Sequence, residues 1–218
     1  MLDVHPPHEP AHGVRDFLLH LFTITIGLLI ALSLEGLVER HHHRELVREA
    51  ETSLGEEIRS NADRMNDAMA DVKTQQDALK HDIAMLKIFE SGKTPPPGSS
   101  MNISYKIRPF QDVAWKTAQT TGALSLMPYE EAQKFSGIYN AQESVSQAEA
   151  QAARDAILSL SGLINSDGDD GAPLKADAKA LQEKISVLQG QLMLLSSLLD
   201  LMKAEQQAYL NPEAAGKK

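Results

Sequence analysis

The sequence predicts a mainly α-helical protein: one N-terminal transmembrane helix followed by a bundle of long, mostly antiparallel helices. Three observations lead there. Residues Phe17 to Leu34 read FLLHLFTITIGLLIALSL and contain no Asp, Glu, Lys or Arg. An apolar residue recurs every seven positions from Ile58 to Leu86. A cleaner apolar pattern runs from Leu181 to Tyr209.

Residues 1–16 form an N-terminal tail that begins MLDVHPPHEPAHG; its prolines and glycine forbid a regular helix. The transmembrane helix is placed at 17–38. Eighteen helical residues rise about 27 Å, close to the roughly 30 Å hydrocarbon core of a bilayer. Seven Leu, three Ile and two Phe favour insertion. A cleaved signal peptide is the rival reading, with Ala31-Leu32-Ser33 as its cleavage site. The apolar run exceeds the usual 7–15-residue core of such a peptide, and the following residues continue in helical register. A retained anchor is therefore the expectation.

A long amphipathic helix follows over 39–90. Ile58, Met65, Val72, Leu79 and Leu86 form one row, with Leu54, Ala68, Met69 and Ile83 near a second. Asn61, Gln75, Gln76 and Asp82 interrupt that second row, which suggests a bundle more than an ideal coiled coil. Residues 91–110 are a loop, opened by Ser91-Gly92-Lys93-Thr94-Pro95-Pro96-Pro97-Gly98. Within it, alternating Ile103, Tyr105 and Ile107 allow a short extended segment with no evident strand partner.

Residues 111–210 are the helical bundle region. A short helix over 112–121 contains Trp115 and closes at Gly122. Pro128 suits a first helical position, and helix then runs to about Ile164. Asn165 to Pro173 is a loop. In the last helix Leu181, Ile185, Leu188, Leu192, Leu195, Leu199, Met202, Gln206 and Tyr209 step by four and three. Leu194, Leu198 and Leu201 widen its apolar face beyond what one neighbour covers. Residues 211–218 are a C-terminal tail.

Composition excludes several functions. A net charge of −9 leaves no basic footprint for nucleic acid. The absence of cysteine removes disulfides, thiolate catalysis and the commonest structural zinc sites. No phosphate loop, G-x-S-x-G or His-Glu-x-x-His pattern occurs, so no catalytic, cofactor or metal residue is nominated. His41, His42 and His43 point about 100° apart on a straight helix and read as a polar collar at the lipid boundary, with a metal or haem site as the alternative. The acidic loop 165–171 lacks the spacing of a calcium loop.

Two packing sites are expected. Thr23, Gly27, Ala31 and Glu35 recur at steps of four, and small residues so spaced allow close helix approach in lipid. Glu35 is alternatively an interface charge beside Arg40 or His41. Trp115, Gly122, Leu124 and Tyr139 form the second site, in which Trp115 is expected to be largely buried between helices and Gly122 to take a positive φ.

Two segments also carry a resemblance. Thr25-Ile26-Gly27-Leu28-Leu29-Ile30-Ala31-Leu32 resembles the I-G-I-L-I-A-L membrane core of a family of uncharacterised bacterial single-pass membrane proteins. Trp115-Lys116-Thr117-Ala118-Gln119-Thr120-Thr121-Gly122-Ala123-Leu124, then Tyr139, resembles that family's W…(S/T)-G-x-L…Y helical module. The resemblance implies architecture and a bacterial inner-membrane location; it brings no activity. The family's basic N-terminus is missing here.

The expected function is that of a non-enzymatic, membrane-anchored scaffold or accessory subunit. Its partners are the bilayer and either further copies of itself or another membrane protein, with no cofactor. The alternative is a sensory or small-ligand-binding helical bundle without its own output domain; an enzyme with an unrecognised site is a third. Arg15 precedes the membrane helix whereas Arg40, Arg44 and Arg48 follow it, so charge leans toward a cytoplasmic C-terminal domain. The family's basic N-termini lean the other way.

Overall fold

The structure, a computed structural model, describes residues 13–94, 96, 98–101, 103, 105–164 and 175–212, with the backbone alone for 162–164 and 175–177. The acidic loop at 165–171 and the outer parts of both tails lie outside the described residues. The protein is mainly helical. Among the described residues there are five helices, α1 (Val14–Glu90), α2 (Val113–Thr120), α3 (Ala123–Leu126), α4 (Tyr129–Ile164) and α5 (Lys175–Leu210), and no strand.

A single helix of 77 residues, α1, covers both the apolar segment and the amphipathic stretch. The chain divides into two compact units, Met1–Glu49 and Ala50–Lys218. In the first, every described residue from Gly13 to Glu35 is exposed. Its hydroxyls turn inward on the backbone: Thr23 donates to the Leu19 carbonyl at 2.9 Å, Thr25 to Leu21 at 2.8 Å and Ser33 to Leu29 at 2.6 Å. A helix that satisfies its own polar groups in this way tolerates an apolar solvent. By length and composition, α1 and α5 are each long and apolar enough to cross a membrane, although α5 is partly buried inside the protein.

The second unit is organised by three patterns of one kind. On α1, Leu54, Ile58, Asn61, Met65, Ala68, Val72, Gln75, Leu79, Asp82 and Leu86 are buried at alternating steps of four and three. On α4 the same alternation runs through Phe135, Ile138, Gln142, Val145, Glu149, Ala152, Ala156 and Ser159. On α5 it runs from Ala178 through Leu192 to Gln206. Each places one stripe inward, and the three helices share one apolar core. Ala141, Ala148, Ala152 and Ala156 are small enough to bring α4 close to α5.

Helix direction departs from a simple up-and-down order. Lys184 donates to the Leu158 carbonyl at 3.4 Å, and Gln76 to the Leu192 carbonyl at 3.0 Å, while Lys203 reaches Asn66 at 3.2 Å. These contacts, with Glu205 beside Gly137, set α5 antiparallel to both α4 and α1. Yet Glu57 meets Tyr139 and Asn61 meets Gln142, so α1 and α4 run parallel. The expectation of mostly antiparallel neighbours assumed short loops. The connection between α1 and α4 instead travels back along α1 before α4 begins.

The return starts at Gly92, where φ is +73°. The Gly92 N–H donates to the Phe89 carbonyl at 2.9 Å and the Lys93 N–H to the Ile88 carbonyl at 3.2 Å, the paired bonds that close a helix C-terminus on a left-handed glycine. At the other end Pro128 precedes α4, and its carbonyl accepts the Ala132 N–H at 3.0 Å.

Candidate functional site

Residues 105–111, part of the segment expected to be extended, form a strap that belongs to no helix or strand and bonds to side chains. It lies against α1 and α4 and runs antiparallel to α1. Gln75 Nε2 reaches the Lys106 carbonyl at 3.4 Å. The Glu149 carboxylate accepts the Arg108 N–H. Asn61 then binds both backbone groups of one residue: its Oδ1 accepts the Gln111 N–H at 2.8 Å and its Nδ2 donates to the Gln111 carbonyl at 2.8 Å. Gln142 Nε2 donates to the same carbonyl at 2.7 Å, and Gln142 Oε1 accepts from Asn61 at 3.0 Å. Buried backbone groups need partners, and here amide and carboxylate side chains stand in for a neighbouring strand.

Side chains of the strap divide by environment. Ile103 and Phe110 enter the core, and the Tyr105 hydroxyl donates to the Glu149 carbonyl at 3.2 Å. Ile107 faces outward. Arg108 pairs with Asp71 and, at 3.4 Å, with Asp67, while Lys106 reaches Asp71 at 3.3 Å. The Arg108 bond holds the Asp71 carboxyl below the usual carboxylate range. Burial pushes the Glu149 carboxyl the other way, up to about 7, against the opposing bond from Arg108.

The strap delivers the chain to α2. That helix has no side-chain cap of its own, because Asp112 makes no capping bond and pairs with Lys116 at 2.7 Å. Glu57 of α1 takes the role. Its Oε2 accepts the Ala114 N–H at 2.8 Å, and its Oε1 accepts the Trp115 N–H at 3.4 Å and the Tyr139 hydroxyl at 2.7 Å. A carboxylate at a helix N-terminus answers both its free N–H groups and its dipole. Burial, then the bond to Glu57, drives the Tyr139 phenol well above its ordinary pKa.

Trp115 lies flat on Tyr139, with ring centroids 4.8 Å apart and planes 8° from parallel. The indole is half-buried and lines an open cleft of about 230 Å³ with Asp112, Lys116, Gln119 and Glu143. Gly122 turns the chain from α2 to α3 with φ of 76°. Leu124, on α3, is half-buried, and Ala118 and Ala123 are buried around the turn. Of the four residues expected in this module, the structure therefore stacks Trp115 and Tyr139 and places Gly122 and Leu124 in the turn beyond.

The expected membrane-helix set is differently placed. Thr23, Gly27, Ala31 and Glu35 are all exposed, and nothing lies within 4 Å of a Cβ built at Gly27. Each step of four turns the stripe by about 40°, so it winds around the helix. His41 lies 3.7 Å from Glu45 and His43 3.8 Å from Glu39, pairings along one helix. Among the described residues no three metal-ligating side chains converge.

Glu57, Asn61, Gln142 and Glu149 were not foreseen as site residues. For Asn61, Gln142 and Glu149 the signal was present as polar residues at heptad positions, where an apolar residue packs best; Glu57 lies beside the row and gave none. The four bond to the Gln111, Ala114, Trp115 and Arg108 backbone and to Tyr139. Comparison with protein-family models, with curated proteins and with solved structures finds no match to this chain.

Proposed function

We propose that this is a non-enzymatic, membrane-anchored helical protein that works by association, as a scaffold or accessory subunit. The observation that carries the reading is apolar surface without cover in both units. Phe17, Phe22, Ile24 and Leu28 of the first are more than half exposed, as are Val187, Leu194 and Leu201 of the second. The first set suits a bilayer. The second suits a protein partner, because contiguous exposed apolar surface outside a membrane marks an interaction site. The three helices that share one core are read as a bundle stabilised by the strap, and the resemblance to a family of bacterial single-pass membrane proteins fits the same architecture. An inner-membrane location with a single crossing follows, and the arginines after the membrane segment favour a cytoplasmic C-terminal unit.

A second reading is a small-ligand-binding bundle. The cleft beside Trp115 and Tyr139 favours it, since stacked aromatics edged by Lys116 and Glu143 offer both an apolar floor and charge.

Chemical crosslinking in native membranes separates the two. Wild type is expected to give crosslinked species that Gly27→Leu weakens without lowering membrane yield, because leucine keeps the helix insertable while blocking close approach. A wild type that stays monomeric and free of partners at native abundance contradicts the scaffold reading and favours the ligand-binding one.

A further inference from the structure

We propose that Arg40, His41, His42, His43 and Arg44 form a collar that binds the phosphate headgroups of anionic phospholipids, and binds them more tightly as its imidazoles take up protons. The inference rests on the membrane-anchor reading and names the lipid class that the anchor selects.

The five residues are consecutive on α1, which runs through them without a break. Arg40, His41, His42 and Arg44 are exposed and His43 is half-buried. With the membrane span ending at Val38, Arg40 lies about 3 Å and Arg44 about 9 Å farther along the helix axis. The headgroup layer is about 5–8 Å deep on each side of the hydrocarbon core, so the collar falls at its depth.

Direction favours many lipids over one ion. Consecutive helical residues point about 100° apart, so five of them encircle the helix. That divergence keeps His41, His42 and His43 from closing on a single metal, and among the described residues no three metal-ligating side chains converge. It suits a ring of separate headgroups, each met by its own side chain. Phosphate is an acceptor that guanidinium and protonated imidazole both bind strongly.

Charge selects the lipid. Between residues 39 and 49, Glu39, Glu45 and Glu49 balance Arg40, Arg44 and Arg48. The imidazoles therefore set the net charge of this stretch, and histidine is the side chain that changes charge between about pH 5 and 8. Among the described residues, the carboxylates within 4 Å of the imidazoles are Glu45, 3.7 Å from His41, and Glu39, 3.8 Å from His43. Both lie on α1, as does Glu35 one turn before Glu39. An anionic headgroup layer adds attraction from outside the helix, which a zwitterionic lipid does not.

The chain has no cysteine, so Ser53→Cys, at an exposed position of α1, takes a single donor dye. Full-length protein is reconstituted in phosphatidylcholine vesicles with EDTA and a minor fraction of acyl-labelled acceptor lipid, either phosphatidylglycerol or phosphatidylcholine. Energy transfer reports which lipid gathers around the helix. Phosphatidylglycerol is expected to be enriched about threefold at about pH 5.5 and to lose most of that preference by about pH 8. Combining His41→Gln, His42→Gln and His43→Gln should remove the pH step while circular dichroism shows unchanged helicity. Equal transfer to both lipids at acid pH overturns the proposal, as does a pH step that survives in the triple variant. Enrichment abolished by inorganic phosphate at constant ionic strength overturns the lipid as ligand and assigns free phosphate instead. A protein that resists carbonate extraction yet shows no lipid preference loses this inference alone; one that carbonate releases loses the anchor reading as well.

Discussion

The Tyr139 hydroxyl donates to the Glu57 carboxylate at 2.7 Å, and the same carboxylate caps α2 through the Ala114 N–H at 2.8 Å. One side chain thus ties α1 to α4 and to the start of the Trp115 helix. Glu57→Ala is expected to leave the phenol and the N–H groups of α2 without partners. The loss should be about 2–4 kcal/mol, read from urea unfolding. Tyr139→Phe removes only one bond and should cost about 1 kcal/mol. A double-mutant cycle with no coupling between the two positions would show that the bond does not stabilise the fold.

Asn61 gives a less intuitive expectation. Asn61→Leu completes the apolar row of α1, and on heptad logic alone it stabilises. Because Asn61 binds both the N–H and the carbonyl of Gln111, the structure predicts a loss of about 2–3 kcal/mol. A thermal melt that rises on this substitution would contradict the docking of the strap.

The same residue shows what a sequence reader sees and misses. The mainly helical class was legible, because Leu181 to Met202 and Ile58 to Leu86 repeat with helical period. The polar interruptions at Asn61 and Gln75 read as flaws in a seam. They are instead the groups that bind the strap, and side-chain recognition of an extended backbone leaves no periodic trace. The parallel course of α1 and α4 was hidden for the same reason, since nothing local in residues 101–111 says along which helix they return. The Gly122 turn was legible from one residue; the cleft beside Trp115 was not, because it depends on how α2 sits against α4.

Gly122 holds φ of 76°, in the region that side chains resist. Gly122→Ala should therefore lower stability by roughly 1–2 kcal/mol. Gly190→Ala, in an open helical position, should raise it slightly. Equal responses in calorimetry would argue that the turn relaxes freely.

Glu149 sets a pH dependence. Its folded pKa, about 7, lies above the ordinary carboxylate value near 4.5. The folded state then binds more protons than the unfolded state between those two values, so this contribution is full below pH 4.5 and is lost as pH rises through about 7. Stability should accordingly carry a falling component over that window, and Glu149→Gln should flatten it. Asp71 acts oppositely: its lowered pKa makes its contribution present at neutral pH and lost under acid. A Glu149→Gln variant with an unchanged pH profile from 4.5 to 7.5 would place the titration elsewhere.

Trp115 reports on the same module. Because the indole is half-buried against Tyr139, Trp115→Ala should cost about 2 kcal/mol, less than a core tryptophan. Its fluorescence should be partly accessible to iodide. Complete quenching would indicate that the stack with Tyr139 does not persist.

Alkaline carbonate extraction of membranes, followed by mass spectrometry of the N-terminus, tests the central claim most directly. A chain anchored through Phe17 to Leu34 stays in the pellet with that segment intact. Release into the supernatant, or a mature N-terminus near Leu34, would show that the apolar segment is no anchor and would contradict the account.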